Sequence, residues 1–92
     1  MTRDQAKRLL SDLVDALAAI EHERWSHWQR YMHDHAIKQA DGSLILPAHL
    51  VARWEKQIST EFESLTDKEK DSDREQVHRY LPLIVNALSS ES

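Results

Sequence analysis

No glycine or proline occurs before Gly42, so nothing in the first part of the chain marks a turn. Thr2-Arg3-Asp4-Gln5 fits a capping box, in which a hydroxyl and a glutamine side chain satisfy backbone amides at a helix start. Apolar residues then recur with the 3.6-residue period of a helix. Together these features predict one long helix over roughly residues 3–39.

The apolar stripe of this predicted helix is longer than one small domain. At about 100° per residue, the stripe within about 60° of Leu10 holds Leu13, Val14, Leu17, Trp25, Trp28, Tyr31, Met32 and His35, and Glu21 and Arg24 interrupt it. A helix of about 37 residues spans about 55 Å, whereas a compact domain of this length is about 30 Å across. Two outcomes are open. Either the helix breaks near Glu21 and both halves share one core, or a homo-oligomer forms through Leu9, Leu10, Leu13, Val14 and Leu17.

The rest of the chain predicts two further helices. Asp41-Gly42-Ser43 is a turn, and residues 44–46 are either a strand-like connector or a loop packed on the core. Leu50, Val51, Trp54 and Ile58 recur at helical spacing behind Pro47, which predicts a helix over about 47–60. Phe62 and Leu65 are expected to point inward from a connecting loop.

A second capping box, residues 66–69, begins a helix over about 67–89, which Pro82 is expected to kink or restart. The predicted fold class is therefore all-α. We expect a small three-helix domain over residues 1–92 with one long N-terminal helix, assembled as a homo-oligomer.

Charge and composition limit the possible partners. The net charge is −4 and cysteine is absent, which excludes disulfides and cysteine-ligated zinc. No segment approaches the roughly 18 apolar residues of a membrane span, and the N-terminal segment is too polar for a signal peptide. We therefore expect a cytosolic protein that does not engage the membrane. An acidic chain without a dense basic stripe is also a poor binder of duplex nucleic acid.

The middle of the chain is the part best suited to an anion. Residues 22–57 sum to +1 and hold five of the six histidines, whereas residues 58–75 sum to −4. An arginine offers a planar fork that matches phosphate oxygens, and a tryptophan face can stack on a ring. The candidate ligand-binding residues are Arg24, Trp25, Trp28, Arg53, Trp54, Arg74 and His78. The alternative is an ion pair between Glu21 and Arg24 and core packing for the tryptophans, Trp54 above all.

No motif for catalysis or metal binding is present. His33 and His35 are two residues apart, so on a helix they point about 200° apart and cannot share a metal. The chain has no glycine-rich phosphate loop, nucleophile elbow or cysteine nucleophile. We expect a protein that is not an enzyme and uses neither a metal nor another cofactor.

Two segments resemble the ryanodine-receptor-type repeat domain, which also occurs alone or fused in bacteria and phages. Residues 20–25, Ile-Glu-His-Glu-Arg-Trp, are similar to its opening His-Glu and aromatic motif. Residues 62–74 are similar to its block of an aromatic residue, Leu-Ser/Thr, acidic residues, Glu-Lys and Asp-Arg. In the matched block, Asp73 and Arg74 are expected to tie the last helix to the first through Glu21 or Glu23.

The resemblance also implies a function. Prokaryotic domains of this kind have been proposed to sense nucleotide-derived signals in defence systems, and the whole chain resembles short proteins of tailed phages. It therefore implies a phage-type protein that sequesters a small-molecule nucleotide, such as a cyclic nucleotide or an ADP-ribose derivative, and so evades host defence. The alternative is a non-enzymatic helical protein that binds a host or viral protein.

Overall fold

A computed structural model describes residues 1–89, and this part of the chain is mostly helical. The elements in chain order are α1 (Arg3–Ser11), α2 (Val14–His35), β1 (Ile37–Lys38), β2 (Leu44–Ile45), α3 (Ala48–Ile58) and α4 (Asp67–Ser89). A short 3-10 helix, Phe62–Ser64, precedes α4. None of the helices in residues 1–89 is long and apolar enough to cross a membrane.

The long N-terminal helix predicted from the sequence is divided between α1 and α2. The capping box at Thr2 is confirmed, because the Thr2 hydroxyl accepts from the Gln5 amide and the Gln5 side chain accepts from the Thr2 amide. The break lies at Asp12 and Leu13, not near Glu21. There the Leu13 amide donates to the carbonyl of Leu10, three residues back, which tightens the turn. The bend lets both α1 and α2 contact α4, which a straight helix of that length would overhang.

The prediction that the helix extends over residues 36–39 is wrong. Ala36 is extended, and β1 pairs with β2 in an antiparallel hairpin that joins Ile37 to Ile45. The hairpin depends on its turn, where Gly42 has a φ of 91° and an Asp41 carboxylate oxygen accepts from the Ser43 hydroxyl and amide. These two hydrogen bonds, the hydroxyl's first, lower the pKa of Asp41. The fold of residues 1–89 is therefore four α-helices with a small two-stranded sheet, not three helices alone.

Helices α3 and α4 lie close to their predicted bounds, but the side chains of Ile58 and Phe62 do not point inward. α4 begins at Asp67 as expected and is helical to Ser89, the last residue that the structure describes. It continues through Pro82, so the helix does not restart there. Leu50 of α3 is the one buried residue among residues 1–89, with 4% of its surface exposed. Ile58, at the end of α3, is 76% exposed, and Phe62 is 48% exposed. The expectation that Phe62 faces a core is therefore wrong, because α4 alone lies behind it and leaves its ring partly in solvent.

α2 and α4 run antiparallel and form the frame of the molecule. Arg79 of α4 donates to the Glu23 carboxylate of α2, while Gln76 lies nearer the other end of α2, beside Trp28. The expected tie through Arg74 is wrong. Arg74 instead pairs with Asp71 one turn earlier on its own helix, at 2.8 Å.

The capping box at the start of α4 has a testable effect on stability. The Thr66 hydroxyl accepts from the Glu69 amide, and a Glu69 carboxylate oxygen accepts from the Thr66 hydroxyl and amide. Hydrogen bonds from Thr66, then from Gln57, lower the pKa of Glu69, and the charge of Lys56 adds to this.

Thr66→Ala should lower the free energy of unfolding by about 1 kcal/mol at neutral pH, as loss of an N-cap usually does. The contribution of the Glu69 carboxylate is present above its ordinary pKa and is lost as the pH falls through the lowered value. The deficit of the variant should therefore shrink in acid. Urea unfolding at pH 7 and pH 3 measures it, with Ser26→Ala on the exposed face of α2 as the control. An equal deficit at both pH values would contradict the role of Glu69.

Candidate functional site

An open cleft of about 730 Å³ lies between α2, α3 and the first half of α4. The residues that line it are His27, Trp28, Tyr31, Arg53, Trp54, Lys56, Gln57, Thr60, Ser64, Thr66, Lys68, Glu69, Ser72, Glu75 and Gln76. α3 is linked to α2 by the hydrogen bond from Arg53 to Tyr31, and to α4 by the hydrogen bond from Gln57 to Glu69. The cleft is therefore a product of tertiary packing and not of one local motif.

Aromatic rings form one wall of this cleft. Trp28 meets Tyr31 edge to face, with 5.9 Å between ring centroids. Tyr31 stacks on His35 at 4.0 Å, and His35 Nδ1 lies 2.8 Å from the Tyr31 carbonyl oxygen. Trp28 keeps 46% of its surface exposed, so part of its ring is free to contact another molecule. The rings are fixed by their neighbours and do not depend on a ligand for their orientation.

Arg53 is held at the same wall. Its Nη2 donates to the Tyr31 hydroxyl at 3.0 Å, which connects α3 to α2. The guanidinium has five N–H donors, so this single hydrogen bond orients the group and leaves most of its donors available. An oriented arginine beside aromatic rings is an arrangement that binds anions attached to rings.

Charges in the cleft are of both signs and are unevenly placed. Arg53, Lys56 and Lys68 supply positive charge, and Glu69 and Glu75 supply negative charge. The lowered pKa of Glu69 keeps its carboxylate ionised, and its hydrogen bonds hold it at the α4 start. Gln57 and Lys56 of α3 both act on Glu69, so its negative charge lies beside Lys56. An anion is therefore best placed at Arg53, which is held by the Tyr31 hydroxyl.

One buried polar atom in the lining lacks a partner. Gln76 Oε1 is shielded from solvent and accepts no hydrogen bond from the chain over residues 1–89. Buried amide oxygens are nearly always hydrogen-bonded. A molecule bound in the open cleft reaches this atom only if the Gln76 side chain turns.

The structure brings together three of the seven residues predicted as ligand-binding. Trp28, Arg53 and Trp54 line the cleft. Arg74 and His78 lie elsewhere, in a groove of about 180 Å³ with an apolar lining. Arg24 lies 3.6 Å from Glu21, which is the ion pair that the sequence offered as the alternative. Trp25 stacks on His22 at 6.1 Å and belongs to neither surface.

Several lining residues were missed by the sequence analysis. Tyr31 was identified only as part of the apolar stripe, although it follows Trp28 by almost one turn and is therefore its neighbour on the helix. Lys68 and Gln76 had no local signal, because only the antiparallel pairing of α2 and α4 brings them to the cleft. No group of three or more histidine, aspartate or glutamate side chains in residues 1–89 is arranged to hold a metal ion.

Comparison of the chain with protein-family models, with curated proteins and with solved structures finds no match. The resemblance to the ryanodine-receptor-type repeat domain therefore remains a prediction from the two motifs that suggest it.

Proposed function

We propose that the cleft binds a nucleotide-type ligand, and that the chain acts as a binding protein and not as an enzyme. The observation that carries the proposal is the combination of Trp28 and Tyr31 with an oriented Arg53 on one wall. The volume of the cleft, about 730 Å³, falls in the usual range for small-molecule pockets, about 300–1,000 Å³.

Each part of a nucleotide has a complementary group in this cleft. A base can stack on the exposed part of Trp28, which contributes about 1–3 kcal/mol per base in single-strand binders. The phosphate is attracted to Arg53, with Lys56 and Lys68 adding to the positive potential. The role implied by the resemblance, capture of a nucleotide-derived signal in a host cell, stays a prediction.

The first test is a thermal-shift screen with AMP, cyclic AMP, a cyclic dinucleotide and ADP-ribose. A ligand at 100 times its dissociation constant should stabilise the fold by about 2.7 kcal/mol. Adenosine and inorganic phosphate serve as controls for the ring and the anion alone. Absence of a shift with every nucleotide, at millimolar concentration, would overturn the proposal.

Matched variants then locate the site by calorimetry with the nucleotide that gives the largest shift. Trp28→Ala should weaken binding about tenfold or more, whereas Trp25→Ala, on the same helix but outside the cleft, should not change it. Arg53→Gln should weaken binding by at least tenfold and reduce its salt dependence. Arg30→Gln is the control, because Arg30 is exposed and pairs with Asp34. Equal affinities for Arg53→Gln and Arg30→Gln would place the phosphate elsewhere.

We also propose that the binding unit is a homo-oligomer. Of the five residues predicted to hold it, Leu9, Leu13 and Leu17 are half-buried within the chain, while Leu10 and Val14 remain 41% and 58% exposed. The radius of gyration is 18.3 Å, against about 12 Å for a compact chain of this length. Such an open arrangement of apolar helices supports association with further copies.

A further inference from the structure

The second half of α4 presents a strip of apolar side chains to solvent. Val77, Leu81, Val85 and Leu88 follow one another at intervals of four, four and three residues, so they share one face of the helix. Their exposed fractions are 51%, 44%, 55% and 39%. Phe62 lies at one end of the strip, where its ring lines a shallow groove with Val77 and Leu81. The polar side chains of Asp73, Arg74 and His78 line the same groove, and Lys70 and Arg74 lie over the ring.

The strip lies on the side of the α2–α4 pair away from the Glu23–Arg79 ion pair. Angles around each helix are counted from its half-buried side chains, at about 100° per residue. On α4, Arg79 lies at about −90°, and on α2, Glu23 lies at about −90° from Leu17 and Ile20. Val14 on α2 and Leu88 on α4 both lie at about +90° from the half-buried side chains of their helix. Since equal rotations on two antiparallel helices point to the same side, Val14 joins the strip. Val14, Phe62, Val77, Leu81, Val85 and Leu88 are called the apolar face below.

We infer that the α4 part of the apolar face from Leu81 to Leu88, with Val14 beside it, is the docking surface for a second copy of this chain, related by a two-fold axis that passes near Val85. This inference rests on the proposed self-association and names its surface and symmetry. The first argument is area. The accessible surface is 7578 Å² for a chain of 10.8 kDa, whereas a compact monomer of that mass exposes about 5,500 Å². The excess of about 2,000 Å² per chain is in the range that obligate dimers bury.

The second argument is charge. Residues 80–89 contain no charged side chain, whereas residues 67–75 hold five of the acidic ones. A two-fold axis near Val85 places the uncharged half of one α4 against that of the other, in antiparallel orientation. The two acidic helix starts then lie at opposite ends of the pair and do not repel each other.

The apolar face and the cleft are separate surfaces. The cleft is lined from α4 by residues such as Ser72 and Gln76, which point away from the strip of Val77 and Leu81. Association through the apolar face therefore leaves the cleft open, and the two properties can be tested independently.

The test measures the mass in solution of the wild type and of two single variants. Light scattering and sedimentation over about 10–100 μM give this mass. We expect the wild type to have the mass of two chains and Val85→Glu to have the mass of one, because the axis would bring two carboxylates together. Ile58→Glu is the control, since Ile58 is 76% exposed on α3 and outside the apolar face. It should keep the wild-type mass.

A second measurement does not depend on a destabilising charge. The chain has no cysteine, so Val85→Cys introduces the single thiol, and mild oxidation should link two copies while Ile58→Cys stays unlinked. A monomeric wild type would overturn the inference and assign the face to a different protein. Unchanged mass for Val85→Glu together with no crosslink for Val85→Cys would also overturn it. Failure of nucleotide binding alone, with these masses as expected, would overturn the proposed function and leave the dimer surface standing.

Discussion

Replacement of Leu50 by alanine is expected to lower the free energy of unfolding by about 3 kcal/mol, as large-to-small changes at buried sites do. Leu50 is the one buried residue that the structure describes, at the start of α3. No other apolar side chain that the structure describes is buried to this degree, so alanine at this position removes the largest single burial of the fold. Urea unfolding followed by circular dichroism measures the change.

Val51→Ala is the matched control, because Val51 is the next residue on α3 and is 39% exposed. It should cost less than about 1 kcal/mol. The Leu50 variant should also lose nucleotide affinity even where it is still folded, since α3 carries Arg53 and Trp54 to the cleft. A Leu50 variant as stable as the Val51 variant would mean that α3 is held by other contacts.

Helix starts were predictable because their causes are local. Thr2 and Thr66 each cap a helix through atoms within three residues, so the pattern in the sequence carries the whole interaction. The break at Leu13 was not predictable in this way. Its neighbours favour a helix, and the bend serves contacts with α4, some seventy residues later in the chain.

The end of α2 illustrates a second limit. Ile37 and Lys38 continue a pattern compatible with a helix, but the Asp41–Gly42 turn lets them pair with Leu44 and Ile45. The competing hairpin was visible only as a turn and a short apolar run. Helical periodicity was therefore extended a few residues too far.

The types of residue in the candidate site could be predicted from the sequence better than their positions. Trp28, Arg53 and Trp54 were named because aromatic rings and arginines suit a nucleotide, and they meet in one cleft. Arg24 was named for the same reason, but Glu21 on the same helix face pairs with it. Gln76 enters the site only through the pairing of two distant helices, which no local pattern indicates.

The last prediction concerns the dependence of stability on protein concentration. If two copies share one apolar core, the folded dimer is favoured by mass action, and its apparent stability rises with concentration. For a dimer that unfolds to two separate chains, a hundredfold rise shifts the apparent free energy by about 2.7 kcal/mol per dimer. The urea concentration at the unfolding midpoint should therefore be clearly higher at about 100 μM protein than at about 1 μM protein.

Val85→Glu provides the internal comparison, because it should be monomeric and have the same midpoint at both concentrations. Its midpoint should lie below that of the wild type at high concentration and approach it on dilution. The dependence of stability on protein concentration should be strong, because one chain has little core to stabilise it alone. It has a single buried leucine and leaves the apolar strip on α4 exposed. A wild-type midpoint that does not change with concentration would show that each chain is stable by itself, and that association, where it occurs, does not complete the fold.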